Sequence, residues 1–155
     1  MDVKDVMNTE VVTCSPDTPI REVAQLLKKE KISGLPVVDD GKVVGIVSEG
    51  DILALLEVPE HGGLWLPSPF EVIEVPIREL LNWEETKDML EDFGSKPIRE
   101  IMTKSVYAVG PDTYIEDAST ILSKHKINRL PVVDEDGTLV GIVTRGDIIA
   151  GLGQL

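Results

Sequence analysis

The sequence predicts an α+β fold in which one unit, strand–helix–strand–strand–helix, is used twice. Three observations carry that prediction. Residues 7–39 laid on 102–134 agree at 15 of 33 positions, and residues 41–54 laid on 137–150 agree at 9 of 14, which makes 24 identities in 47 pairs. Shared composition does not produce such agreement, so the chain is a tandem repeat. Ile20, Val23, Ala24 and Leu27 recur at i, i+3, i+4 and i+7, the apolar stripe of an amphipathic helix. Val37-Val38 and Val43 to Val47 flank Asp39-Asp40-Gly41, two short apolar runs around turn-forming residues, which is the pattern of an antiparallel hairpin.

In chain order, residues 2–7 form a short lead, and Val11-Val12 is a brief strand. Asp17-Thr18-Pro19 announces the first helix, with a capping residue and a proline at a tolerated first-turn position. That helix is expected to end near Lys31, and the hairpin follows. Ser48-Glu-Gly-Asp51 opens a second helix running to about Leu56. Residues 58–95 have no counterpart in the repeat. Pro59, Pro67, Pro69 and Pro76 around Gly62-Gly63 predict an irregular or at most locally extended first half, and Pro76 to Met89 is richer in helix formers. Trp65, Leu66, Phe70, Trp83 and Phe93 are apolar enough to predict a segment packed over the body. The second copy begins at Lys96, and Thr113-Tyr-Ile-Glu116 has the spacing of a capping box. The division is therefore 1–57 for the first repeat, 58–95 for a linker insertion containing a helix, and 96–155 for the second repeat.

Composition narrows the function. A net charge of -13 argues against nucleic acid or an anionic membrane as the main partner. It divides as -5 over residues 1–57, -7 over 58–95 and -1 over 96–155, so the second repeat is the half least hostile to an anion. No run of 18 apolar residues exists to span a membrane. The start, Met-Asp-Val-Lys-Asp, does not read as a signal peptide, and the single cysteine, Cys14, has no internal disulfide partner. The expectation is a cytoplasmic protein. His61 and His125 are the only histidines, too few for a metal cluster, so no metal site is expected.

The chemistry lies in Ser48-x-x-Asp51 and Thr144-x-x-Asp147, each between an apolar strand and a helix start. A hydroxyl and free backbone N–H groups there can seat a phosphate oxygen. A carboxylate one turn later can accept from two ribose hydroxyls. Gly50 and Gly146 let a ligand come close to the backbone. The same spacing is also an ordinary helix cap, worth about 1 kcal/mol to the fold. Nucleotide binding without catalysis and plain capping both remain open at this point. A hydrolase built on Ser48 or Thr144 is disfavoured, since neither repeat supplies a histidine beside its hydroxyl, and no catalytic residue is assigned.

Taken together, Met7 and Met102, Pro16-Asp-Thr-Pro-Ile20 and Pro111-Asp-Thr-Tyr-Ile115, the two Leu-Pro-Val-Val-Asp stretches and the two Gly-Ile-Val-Ser/Thr-x-Gly-Asp-Ile stretches resemble the cystathionine-β-synthase (CBS) domain family. The resemblance covers about residues 1–57 and 96–153. It implies a tandem CBS pair related by a pseudo-two-fold axis, with packed sheets and two clefts for adenosine ligands: AMP, ADP, ATP or S-adenosylmethionine. By position it implies that Asp51 and Asp147 hold ribose, and that Ser48 and Thr144 contact ribose or phosphate. It further implies adenine pockets lined around Val11 to Thr13 and around Val106 to Ala108, together with Leu35-Pro36 and Leu130-Pro131. Asn128-Arg129 falls where family members place basic residues against phosphates. The first copy has Ser33-Gly34 there, a departure from that pattern.

The function so implied is a regulatory, energy-sensing module for an adenine nucleotide (AMP, ADP or ATP). It is non-catalytic, requires no cofactor, and acts as a homodimer on a separate, unidentified protein. Two alternatives accompany it: S-adenosylmethionine as the ligand, or a CBS-fold protein-interaction adaptor whose clefts are degenerate. Carboxylates in both copies favour the sensor, since an adaptor needs neither.

Overall fold

The computed structural model describes residues 1–56, 63–67, 72–76 and 83–155. The first copy contains α1 (Ile20–Glu30), the hairpin β1 (Gly34–Asp39) and β2 (Lys42–Ser48), and α2 (Glu49–Leu55). The second contains α4 (Ile115–Lys124), the hairpin β5 (Arg129–Val133) and β6 (Leu139–Thr144), and α5 (Arg145–Leu152). Between them run β3 (Gly63–Pro67), β4 (Val72–Pro76) and α3 (Trp83–Ser95). Each antiparallel pair forms its own two-stranded sheet, so the class is α+β. The Val11-Val12 and Val106 segments join only through single parallel bridges, Cys14 to Val37 and Val109 to Val132.

Local chemistry explains most of the boundaries. In the first hairpin Asp40 and Gly41 both take positive φ, 52° and 79°, the tight two-residue turn that matches strand twist. The second hairpin has one more residue in its turn. Asp134 Oδ1 there accepts from the N–H groups of Asp136 and Thr138, at 2.9 and 3.0 Å, and Gly137 supplies the single positive φ. Both helices before the hairpins end on a lysine in the left-handed region, Lys126 just past the helix as Lys31 is.

Two helix starts differ from expectation. The capping box read at Thr113 and Glu116 does not form; Tyr114 is the N-cap, and Thr113 Oγ1 accepts from the Gly110 N–H at 3.1 Å. Thr18 does the same for Ser15 at 3.0 Å, leaving Pro19 as the N-cap of α1. Each threonine closes the turn before its helix, and a hydroxyl so engaged is not available as a cap. In the middle segment, the stretch expected to be irregular or locally extended contains the β3–β4 ribbon, with Gly63 opposite Pro76 and Pro67 opposite Val72. Its prolines stand at strand ends, where a missing N–H is tolerated. Of the part expected to be helical, residues 77–82 lie outside the described residues, and α3 from Trp83 packs along α1 with Phe93 half-buried. The packing expected of Trp65, Leu66, Phe70 and Trp83 lies outside the described residues.

There are two cores, and their membership shows how the copies interlock. Cys14, Ile20, Val23, Leu27, Leu35, Val37 and Val47 of the first copy enclose Ile98 from the start of the second. Val109, Ala118, Leu122, Leu130, Val132, Val143 and Ile148 of the second enclose Val3 from the start of the first. Both guests are fully buried, a contribution of about 1.5–3 kcal/mol each. Backbone bonds hold each guest in place: Val3 N–H to Thr113 O and Ile98 N–H to Thr18 O, both 2.8 Å. Each lead then adds one bridge to the far hairpin, Asn8 with Ile142 and Thr103 with Ile46. Ion pairs repeat the exchange, Lys4 with Asp112 at 2.7 Å and Arg99 with Asp17. The pseudo-two-fold axis therefore relates two halves that each finish the other.

Candidate functional site

The exchange places a lead of one copy beside the hairpin and helix start of the other, and a cleft opens at each of the two junctions. The first, a cavity of about 310 Å³, has Thr144 and Asp147 of the second copy facing Val11, Val12, Lys31, Ser33 and Gly34 of the first. The second, about 250 Å³, has Ser48 and Asp51 of the first copy facing Val106, Tyr107, Lys126 and Asn128 of the second. The first stands at the small end of the range for organic-ligand sites and the second just below it. Each cleft is thus a composite, with a carboxylate from one copy and a helix-end lysine from the other.

The carboxylates are held by reciprocal caps. Ser48 N–H donates to Asp51 Oδ2 at 2.9 Å, and Asp51 N–H donates back to Ser48 Oγ at 3.4 Å. Thr144 and Asp147 repeat the arrangement at 2.9 and 3.2 Å. The capping role is therefore real, but it uses one oxygen of each carboxylate. Among the described residues no hydrogen bond falls on either Oδ1. Both aspartates are partly exposed and face their cleft. Such an oxygen, fixed at the mouth of a cleft, can accept from a ligand hydroxyl while the cap stays intact.

Arg129 lies between the two clefts and lines both. Its Nη2 donates to Ser33 Oγ of the other copy. Burial lowers the pKa of its guanidinium, and the nearby Glu49 carboxylate opposes that effect. The expectation from sequence gave this arginine to the second copy's phosphate seat alone. Tyr107 stacks on His125, with ring centroids 3.8 Å apart and planes inclined by 18°.

The other residues implied by the family resemblance are placed as follows. Val106 and Asn128 line the Asp51 cleft. The brief strand expected at Val11-Val12 is not formed, and Thr13 and Ala108 are exposed just before the isolated bridges at Cys14 and Val109, beyond the lining of either cleft. Leu35, Pro36, Leu130 and Pro131 are fully buried. The carbonyls of Pro36 and Pro131 accept from Cys14 and Val109, at 3.3 and 3.1 Å. Sequence reasoning did not find Glu10, Lys31 and Ser105 as lining residues; Tyr107 falls within the stretch expected around Val106 to Ala108. Lys31 carried a usable signal, being identical to Lys126 at the other copy's helix end; Glu10 and Ser105 carried none. Among the described residues no group of His, Cys, Asp and Glu suits a metal ion.

Comparison with known proteins agrees with this architecture. The sequence profile of the CBS domain matches residues 3–58 and 98–153. The chain is 43% identical over 152 residues to MJ1426 of Methanocaldococcus jannaschii, covering 97% of this chain and 90% of that protein. Among solved structures, CBSX2 of Arabidopsis thaliana in complex with AMP is 32% identical with a TM-score of 0.72, covering 99% of this chain and 96% of that one. The CBS domain pair of MJ0100, in complex with 5′-methylthioadenosine and S-adenosyl-L-methionine, is 29% identical with a TM-score of 0.68, covering 99% and 97%. Two matched copies, two crossed clefts and these likenesses lead to one conclusion: the chain belongs to the CBS domain family, as a tandem pair.

Proposed function

We propose that this CBS pair is a non-catalytic regulatory module that binds an adenine nucleotide, AMP, ADP or ATP, and passes its occupancy to a separate partner protein. The observation that carries the reading is the composition of each cleft. A rigidly capped carboxylate with a free oxygen suits ribose hydroxyls, and a lysine with a shared arginine suits phosphate. The hydroxyls of Ser48 and Thr144 are tied into their helix caps, accepting from the N–H groups of Asp51 and Asp147, which fits binding rather than turnover. The AMP complex of CBSX2 supports the same ligand class. By position, Asp51 and Asp147 hold ribose, Ser48 and Thr144 border it, and Asn128 and Arg129 attend the phosphate.

The module is proposed to work as a cytoplasmic homodimer. Leu53 and Leu56 near one helix end, and Ile149 and Leu152 on its counterpart, leave more than half their surface exposed, and contiguous apolar surface seeks a partner. Among the described residues no helix is long and apolar enough to cross a membrane.

A second reading applies to the Asp147 cleft. Glu10 lines it, and a carboxylate there favours a ligand with a cationic tail, such as S-adenosylmethionine, which MJ0100 holds. Calorimetric titration with AMP, ATP and S-adenosylmethionine tests both readings. A ligand at 100 times its Kd raises stability by about 2.7 kcal/mol if it binds only the folded chain. No heat and no shift in Tm with any of the three at millimolar concentration would leave a protein-interaction adaptor as the function.

A further inference from the structure

Positions 34 and 129 are equivalent in the repeat, and the pseudo-two-fold axis sets them against each other. One is glycine and the other arginine, and the structure shows why they differ. A Cβ built on Gly34 would lie 2.7 Å from the Val47 carbonyl oxygen and 2.8 Å from Arg129 Cζ, and would collide with the guanidinium Nη1. The Val47 carbonyl and the guanidinium together occupy the space that a side chain at position 34 would need, so the axis holds one arginine and not two. From there it bonds Ser33 and borders both cavities. Each cleft has its own lysine, Lys31 or Lys126, but they have one guanidinium between them.

We propose that Arg129 is a single anion clamp shared by the two clefts, so that an anionic ligand in one weakens the binding of an anionic ligand in the other. The proposal rests on the nucleotide-binding reading above. A guanidinium offers a planar fork of donors, strongest when it meets a phosphate with two parallel bonds. Turned to one cleft, the fork is unavailable to the other, and the first phosphate leaves its own charge close by. The second phosphate therefore meets a neutralised clamp. A ligand without charge draws on neither effect.

Calorimetry of AMP and of adenosine tests this, using the wild type, Asp51→Ala and Asp147→Ala. The two variants give the affinity of each cleft by itself. For AMP, the product of the two stepwise association constants of the wild type is expected to fall about tenfold below the product of the two single-cleft constants, within the usual range of coupling. For adenosine the two products should agree. Adding Arg129→Ala to the wild type and to both single-cleft variants should shrink the AMP deficit to about twofold, the remainder being screened charge repulsion. Arg129→Lys, which keeps the charge and loses the fork, is the second variant should Arg129→Ala not fold. Equal products for AMP in the wild type, or a deficit unchanged by either substitution, would overturn the shared clamp while leaving nucleotide binding intact. Failure of both AMP and adenosine to bind the wild type would overturn the two together.

Discussion

The Asp147 cleft and the Asp51 cleft are built from corresponding positions throughout. Thr144 answers to Ser48, Ile142 to Ile46, Lys31 to Lys126, and Val11 to Val106. They part at five places: Asn8 stands where the other cleft has Thr103, Glu10 where it has Ser105, Val12 where it has Tyr107, Ser33 where it has Asn128, and Gly34 where it has Arg129. The retained positions are the capped carboxylate and the helix-end lysine, the parts suited to ribose and phosphate. The altered ones change charge and aromatic surface. The comparison teaches that the repeat keeps a common adenosine frame and lets selectivity diverge around it. It also shows that net charge per repeat, -5 against -1, is a poor guide to either cleft, because each cleft takes residues from both.

The largest effect that can break this comparison comes from the carboxylates. Asp51→Ala and Asp147→Ala should each weaken one binding step by about ten- to a hundredfold, roughly 1.5–3 kcal/mol, and spare the other. Each also loses the carboxylate half of its reciprocal cap, costing about 0.5–1.5 kcal/mol in chemical denaturation. Loss of both binding steps from a single substitution would mean that the clefts are not separate sites.

A smaller effect comes from exchanging the charged position. Glu10→Ser should strengthen AMP binding in the Asp147 cleft by about threefold, and Ser105→Glu should weaken the other cleft to a similar degree, within about 1 kcal/mol for exposed charges. Both changes should fade as salt is raised to molar concentration. Titration at two salt concentrations checks this, and the absence of any salt dependence would remove Glu10 from the selectivity argument.

The smallest effect concerns the two cores. Cys14 occupies the position that Val109 fills in the other half, and both side chains are buried. Cys14→Val should therefore change stability by less than about 1.5 kcal/mol at pH 7. Burial pushes the Cys14 thiol from 9.0 up to about 11. The unfolded chain thus releases its proton first, and stability falls as pH rises past 9. Urea denaturation at pH 7 and pH 10 should show that fall in the wild type and not in Cys14→Val.

The elements of the fold were legible because they are local. Stripe spacing gave α1, Asp40-Gly41 gave the tight hairpin turn, and the extra residue before Gly137 appeared directly as a change of offset between the copies. The misread cap at Thr113 is a contest between two local partners, Glu116 and the Gly110 N–H, which spacing cannot decide. The β3–β4 ribbon hid among prolines that only a known register shows to be strand ends. The crossing of the clefts was not legible for a different reason. A repeat states that Asp51 and Asp147 are equivalent, but it is silent on whether each faces its own copy or the other. Arg129 was assigned to one cleft on that account, and only the close approach to Gly34 puts it on the axis.

The exchanged leads have a consequence for how such a chain can arise and be cut. A single copy of the repeat cannot complete its own core, because the residue that fills it, Val3 or Ile98, arrives from the start of its counterpart. A half-length chain would have to borrow that residue from a second molecule, and each would lend its own in return: a swapped dimer. Joining two such subunits end to end turns this mutual loan into an intramolecular one, at an effective concentration on the order of millimolar. In that light the tandem chain is a dimer made permanent by fusion. A single cut ahead of the second lead would separate the halves and leave each lead to find a new host.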